Sequence, residues 1–211
     1  MKIIITGGGI AGLATYLHLA KHLPQPPAPS PPHSIIVYES HRPKTPTSPD
    51  DQNQVTPSFE TLSASTAIVG GGLGIAPNGM RVLAHLDAEL RDAVAAQGFP
   101  CESFVFMAAR NGWTLGVQGT SDAGGFEGVE GRAEVCVSSS RHGLWACLKE
   151  KVPEGVVRYG RVVEAERRGE KVVVRLDGGE EDECDLLVGA DGVKSKVRET
   201  LFADEFAPVY T

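Results

Sequence analysis

The chain opens on an apolar run of strand length, "KIIIT", three glycines, and an apolar run of helix length, Ile10 to Leu23. A secretion signal would share the early lysine and apolar middle. The glycines interrupt it, however, and no small-residue cleavage site follows. The stretch is also too broken to cross a bilayer, which takes ~20 consecutive apolar residues. The pattern therefore predicts a buried strand, a glycine turn and a helix.

Downstream, "LPQPPAPSPPH" (residues 23–33) is too proline-rich for helix or central strand and reads as an extended surface loop. A docking segment for a proline-reading partner is the alternative. "SIIVYES" reads as a buried strand, followed by a second polar, proline-rich insertion near residues 41–57. Met80, Leu83, Leu86, Leu90 and Val94 recur at helical spacing and predict one helix that stops at Gly98. "ESFVFMAARNGWTLGV" predicts a hairpin turning at Asn111 and Gly112. A glycine-rich loop then leads to a short strand, "AEVCV", and to a helix, "SSSRHGLWACLKEKV", with serines at its N-cap. Three strands with glycine turns follow: "GVVRYG", "RVVEAERRG" and "KVVVRLDGG". "CDLLVGADG" reads as a last buried strand, and a short helix after it carries Val197 on its apolar side. No internal repeat is visible. The order of elements predicts an α/β core with a second sheet layer inserted.

Composition narrows the function. With 211 residues, 41% hydrophobic and 22% charged, the chain has the makeup of a globular protein of one or two domains. Its net charge of -7 is spread along the chain, which excludes a basic face for nucleic acid. Cys101, Cys136, Cys147 and Cys184 stand far apart, without the spacing of a zinc site or disulfide framework, and fit a reducing compartment. His18 and His22 share a helix face but have no acidic partner near them in sequence, so they read as a solvated pair. No metal is expected.

The candidate chemistry lies in the first turn. Gly7, Gly9 and Gly12 fall as G-x-G-x-x-G between a strand and a helix. The first glycine permits the tight turn, the second lets backbone approach a pyrophosphate, and the third lets the helix pack on the strand. The helix N-terminus, at Ile10 and Ala11, offers unpaired N–H groups and a positive dipole end to phosphates. An acidic residue ending the second strand completes the pattern by accepting ribose hydroxyls. Glu39 stands there, 27 residues past Gly12 (39 − 12), because a surface insertion lengthens the connection without changing strand register. A solvated strand-end carboxylate is the alternative. The stretch reads as a dinucleotide-binding turn, with NAD and FAD both open on this physics.

"CDLLVGADGVKSKVRE" resembles the second fingerprint of the flavin-dependent aromatic hydroxylases, the para-hydroxybenzoate hydroxylase-like family, through Asp185, Gly189, Ala190, Asp191, Gly192, Ser195 and Arg198. "GLGIAPNGMRVL" resembles that family's segment after the second strand. "SRHGLWACL" resembles its arginine-led helix through Arg141, Leu144 and Leu148. The resemblance covers nearly the whole chain, with both proline-rich stretches as insertions. It implies a Rossmann-like FAD-binding (glutathione-reductase-type) α/β fold with an inserted, incomplete substrate-domain β-sheet. The implied FAD-binding domain covers residues 1–99 and 132–200, and residues 100–131 and 201–211 supply partial substrate-domain strands.

The resemblance further implies that Gly7, Gly9, Ile10, Ala11 and Gly12 hold the FAD pyrophosphate and Glu39 its ribose. Ser40 follows where the family often has arginine, a position Arg42 could serve. Arg141 is implied to contact the flavin, and Asp191 with Gly192 to serve both FAD and the approach of NADH or NADPH. The implied reaction reduces FAD, adds oxygen to give a flavin hydroperoxide, and transfers hydroxyl to a small organic, aromatic substrate. The protein's part is to position the cofactor and exclude water. No motif places a catalytic acid or base. The chain stops at "DEFAPVYT", about where the family's substrate-domain sheet continues, so a truncated form is expected. A non-catalytic nucleotide-binding or interaction module and an NAD-dependent Rossmann oxidoreductase are the other readings. Without a signal or membrane segment in the sequence, a cytoplasmic location is expected. Substrate, choice of pyridine nucleotide and oligomeric state are left open.

Overall fold

A computed structural model of the chain describes residues 1–41, 71–120 and 134–202. The second proline-rich insertion beyond His41, most of the glycine-rich loop and the tail from residue 203 lie outside the described residues. The chain divides into two compact units, residues 1–68 with 148–211, and residues 69–147.

The first unit is built on a parallel sheet. β1 (Lys2–Thr6) pairs with β2 (Ser34–Glu39) on one side and β12 (Leu186–Gly189) on the other, and β8 (Val157–Tyr159) extends the sheet beyond β2. Ile3, Ile4 and Ile5 are each 0% exposed, as befits a central strand covered on both faces. Helix α1 (Ile10–His22) lies against β1 and β2 and buries Gly12, Leu13 and Tyr16. The proline-rich residues 24–33 form neither helix nor strand, as expected. The N–H of Ser34 donates to the carbonyl of Met1 at 3.0 Å, so β2 resumes in register whatever the length of the loop.

An antiparallel meander of β9 (Val162–Arg168), β10 (Lys171–Leu176) and β11 (Glu181–Cys184) supplies the second layer. Ile4, Ile36 and Tyr38 form one apolar cluster with Ala165, Val174, Leu176 and Cys184. Strand alternation turns Ile3, Ile5 and Val37 to the opposite face. Helix α5 (Lys196–Phe202) closes the unit with Val197 buried, on the side its apolar pattern indicated.

The stretch read as one last strand is two. β11 pairs antiparallel with β10, β12 pairs parallel with β1, and Asp185 stands between them. The Asp185 N–H donates to the Lys2 carbonyl at 2.9 Å, and its carboxylate accepts from the Lys2 N–H at 2.6 Å. Beside it, the Asp182 carboxylate accepts from the Lys2 ammonium and from the Tyr38 hydroxyl, the latter at 2.9 Å. The charge-rich "EDEC" carries no apolar signal of a strand. Its edge position explains this, because only Cys184 is buried.

The second unit holds a three-stranded antiparallel sheet, β3 (Gly72–Ile75), β7 (Cys136–Ser140) and β4 (Phe99–Cys101), with β7 central. Instead of one helix over residues 77–97 there are two, α2 (Pro77–Leu86) and α3 (Ala88–Gln97). Asp87 breaks the run: its backbone is extended, and its carboxylate accepts from the N–H groups of Glu89 and Leu90 at 2.7 and 3.1 Å. Met80, Leu83, Leu86, Leu90 and Val94 are nevertheless all buried, so the apolar periodicity runs straight through the break. The Arg91 guanidinium is held against the buried Glu134 carboxylate at 3.1 and 2.6 Å.

Helix α4 (Arg141–Glu150) is capped by Ser140, the last residue of β7, whose hydroxyl accepts from the Gly143 N–H at 2.9 Å. The hairpin of β5 (Ser103–Met107) and β6 (Thr114–Gly119) turns where expected, with Gly112 at φ +70°. Phe104, Val105, Phe106, Met107, Leu115 and Val117 are all exposed on it.

Two outcomes follow. Asp87→Ala removes a cap that bonds two N–H groups and should cost about 1 kcal/mol in urea unfolding, with Asp87→Ser recovering most of it. Burial pushes the Asp182 carboxyl upward, but the Lys2 and Tyr38 hydrogen bonds outweigh it and hold the group below its ordinary value. A depressed folded-state pKa stabilises above the unfolded value and is lost as pH falls through the folded one. Stability should therefore drop as pH falls below about 4, and Asp182→Asn should flatten that part of the pH profile.

Candidate dinucleotide-binding site

The C-terminal ends of β1, β2 and β12 meet in the first unit. Gly7 leaves β1 at φ +97°, a conformation that side chains disfavour, and its N–H donates to the Tyr38 carbonyl at 2.7 Å. A Cβ on Gly7 would lie 2.3 Å from the Ala190 carbonyl oxygen, and one on Gly12 would lie 1.8 Å from the Gly7 carbonyl oxygen. The Ala190 N–H donates to the Thr6 carbonyl at 2.8 Å. The turn, the first turns of α1 and the end of β12 are thus locked together by backbone contacts that only glycine permits.

Gly9 differs from its neighbours. Nothing lies within 4 Å of where its Cβ would stand, and its extended backbone suits any residue. As N-cap of α1 it makes no side-chain capping bond, and the first turn holds no acidic residue. Ile10 is half-buried and Ala11 exposed. The positive end of the helix dipole therefore opens onto free space at Gly9.

Two carboxylates flank this turn. From β2, Glu39 accepts the Gly8 N–H at 2.7 Å with one oxygen; the other accepts the His41 N–H at 2.8 Å and the Ser40 hydroxyl at 3.2 Å. From beyond β12, Asp191 accepts the N–H of Lys196 at 2.7 Å and of Val197 at 3.5 Å with Oδ2, at the start of α5. Its Oδ1 is buried and has no hydrogen-bond partner among the described residues. Gly192 follows at φ +77°. Gly189 brings α5 onto β12, since a Cβ there would lie 2.8 Å from that of Val197.

The structure thus gathers Gly7, Gly9, Ile10, Ala11, Gly12, Glu39, Ser40, Asp191 and Gly192 in one unit. Arg141 belongs to the other, where it opens α4, is exposed, and donates its backbone N–H to the Gly71 carbonyl at 3.3 Å. Sequence reasoning passed over Gly8, whose missing side chain makes room for Glu39: a Cβ would come within 2.9 Å of Oε2. The signal was present, since three successive glycines stand where the motif asks for two.

A glycine turn at the carboxyl edge of a parallel sheet, opening a helix and set between two acidic groups, defines a dinucleotide-binding protein of Rossmann type. No protein-family model matches the chain. Among curated proteins it is similar to 6-hydroxynicotinate 3-monooxygenase of Pseudomonas fluorescens, 31% identical over 150 residues, which cover 71% of this chain and 36% of that protein. It is also similar to a salicylate hydroxylase of Pseudomonas putida, 30% identical over 200 residues, 94% of this chain and 37% of the relative. In fold it is similar to Klebsiella pneumoniae HpxO, solved complexed with FAD and uric acid, at a TM-score of 0.64 and 21% identity over 94% of this chain and 41% of the other. Its homologues are FAD-dependent aromatic hydroxylases, and the chain spans a little over one third of the length of these curated relatives.

The glycines separate fold from binding. Gly12→Ala, forced into a carbonyl oxygen, should lose about 3 kcal/mol or more of stability, and Gly7→Ala should lose stability as well. Gly9→Ala should stay within about 0.5 kcal/mol of the parent in thermal or urea unfolding.

Proposed function

We propose that this chain is the FAD-binding portion of an NADH- or NADPH-dependent flavin monooxygenase that uses oxygen to hydroxylate a small aromatic molecule. The observation that carries the reading is Asp191 Oδ1, a buried acceptor with no hydrogen-bond partner among the described residues. Leaving such a group unpaired costs roughly 1–3 kcal/mol, and a hydroxyl-bearing cofactor relieves that cost. The remaining residues fit the same group: Gly9 leaves room for a pyrophosphate at the N-terminus of α1, and Glu39 stands at the end of β2 for a ribose.

In this assignment the first turn of α1, at Ile10 and Ala11, holds the pyrophosphate. Gly7 and Gly12 hold the turn in shape, Ser40 supports the Glu39 carboxylate, and Asp191 with Gly192 fixes cofactor hydroxyls. FAD, when bound, accepts hydride from the pyridine nucleotide and activates oxygen; the chain binds it, orients it and excludes water. Residues 1–99 and 132–200 are assigned to the cofactor domain, and 100–131 and 201–211 to a substrate-domain sheet. The apolar exposure of the β5–β6 hairpin supports that division. Among the described residues no helix is long and apolar enough to cross a membrane. A cytoplasmic location goes with this reading, since a pyridine-nucleotide donor and four free thiols suit a reducing compartment.

The test is the visible spectrum of the purified 211-residue chain after loading with FAD and removing the excess. Retained flavin bands, bleached by NADH or NADPH, are expected. Gly9→Ala and Asp191→Asn should each weaken retention tenfold or more, about 1.4 kcal/mol, with an unchanged circular-dichroism spectrum. A colourless, folded wild-type chain would overturn the assignment.

A further inference from the structure

We propose that Cys101 and Cys136 form a reversible disulfide across strands β4 and β7, a modification site that takes hydrogen peroxide as its oxidant. The two residues stand directly opposite each other in the antiparallel ladder. Their side chains therefore leave the same face of the sheet. Opposed residues in such ladders have Cα atoms about 4.5–5.5 Å apart, inside the roughly 4.4–6.8 Å that disulfides span. Both are free thiols.

The local structure holds this register. The Thr120 hydroxyl donates to the Cys101 carbonyl and accepts from the Cys136 N–H at 3.4 Å, tying both residues to the end of β6. The Cys101 thiol is turned toward the Ser103 carbonyl at 3.5 Å. The Cys136 sulfur lies over Gly74 of β3, where a Cβ would come within 3.4 Å of it. Closing the bond takes a side-chain rotation at each residue, and the backbones already face each other.

Burial divides the labour. Cys136 is 5% exposed and Cys101 half-buried, so a small oxidant reaches Cys101 first. Burial, with Cys101 close by, also pushes the Cys136 thiol up, which keeps it protonated and unreactive toward peroxide. In the first step the Cys101 sulfur attacks one peroxide oxygen, the O–O bond breaks, and a sulfenic acid and one water result. In the second, the Cys136 sulfur attacks the Cys101 sulfur; its S–H proton leaves with the sulfenic hydroxyl as a second water. Two thiols and one peroxide become one disulfide and two waters, and a cellular thiol such as glutathione restores the pair. The bond closes a loop in the chain that contains the whole β5–β6 hairpin.

Peroxide treatment of the intact chain, followed by alkylation and mass spectrometry, tests this. The expected result is a loss of two hydrogens, two alkylated cysteines in place of four, and one tryptic cross-link joining residues 92–110 to residues 133–141. Dithiothreitol should restore four alkylation sites. Cys101→Ser should abolish the cross-link, whereas Cys147→Ser should leave it intact. Four alkylated cysteines after peroxide, a bond involving Cys147 or Cys184, or Cys101 oxidised to sulfinic acid with Cys136 still free would each overturn the proposal. These readings come from the wild-type chain and need no variant to fold.

Discussion

Two backbone contacts too close for any Cβ set the arrangement of the first unit. Gly12 lies on the Gly7 carbonyl, and Gly7 lies on Ala190, so α1, the β1 turn and the end of β12 have one mutual position. The three isoleucines of the adjoining β1 are fully buried, and α5 approaches the end of β12 where Val197 meets Gly189. Because these are contacts of backbone rather than of flexible side chains, they leave little freedom to relax. Gly9 stands between these two tight positions, and nothing occupies its Cβ position.

The two carboxylates beside the turn are in different states of satisfaction. Both Glu39 oxygens already accept hydrogen bonds from the turn and from the end of its own strand, so the group is held in place. Asp191 is anchored by one oxygen only, with the other buried and unpaired. A buried polar group left open in an otherwise bonded setting marks where local stability has been conceded to a ligand. Asp87 likewise bonds two N–H groups with one oxygen, so the buried, unpaired Oδ1 is what sets Asp191 apart from it.

The glycine turn and the position of Glu39 at the end of β2 were legible in sequence because local backbone geometry dictates them and short motifs record it, whereas Asp191 was singled out by resemblance. Strands β1, β2 and β10 were legible for a related reason: buried strands show as continuous apolar runs. The break at Asp87 was hidden because the buried positions of α2 and α3 keep helical spacing across it, and a cap can hide inside a periodic run. Strand β11 was hidden because an edge strand owes its place to its partners rather than to its own hydrophobicity. Arg141 was singled out by resemblance alone, and its assignment to a different unit could not be read from any local pattern. The Cys101–Cys136 pair was equally out of reach, since register between strands distant in sequence is a tertiary property.

Asp185 hands the chain from an antiparallel meander to a parallel sheet within a single residue, and the first residues of the chain bind to both sides of that junction. The two sheets of the first unit consequently have no natural seam along which one could open while the other stayed shut. A fluctuation that frees β11 also pulls on Lys2, and through it on the strand that carries the glycine turn. The glycine turn is thereby coupled to a charged sheet edge that lies outside the candidate site, and the two are expected to gain and lose order together.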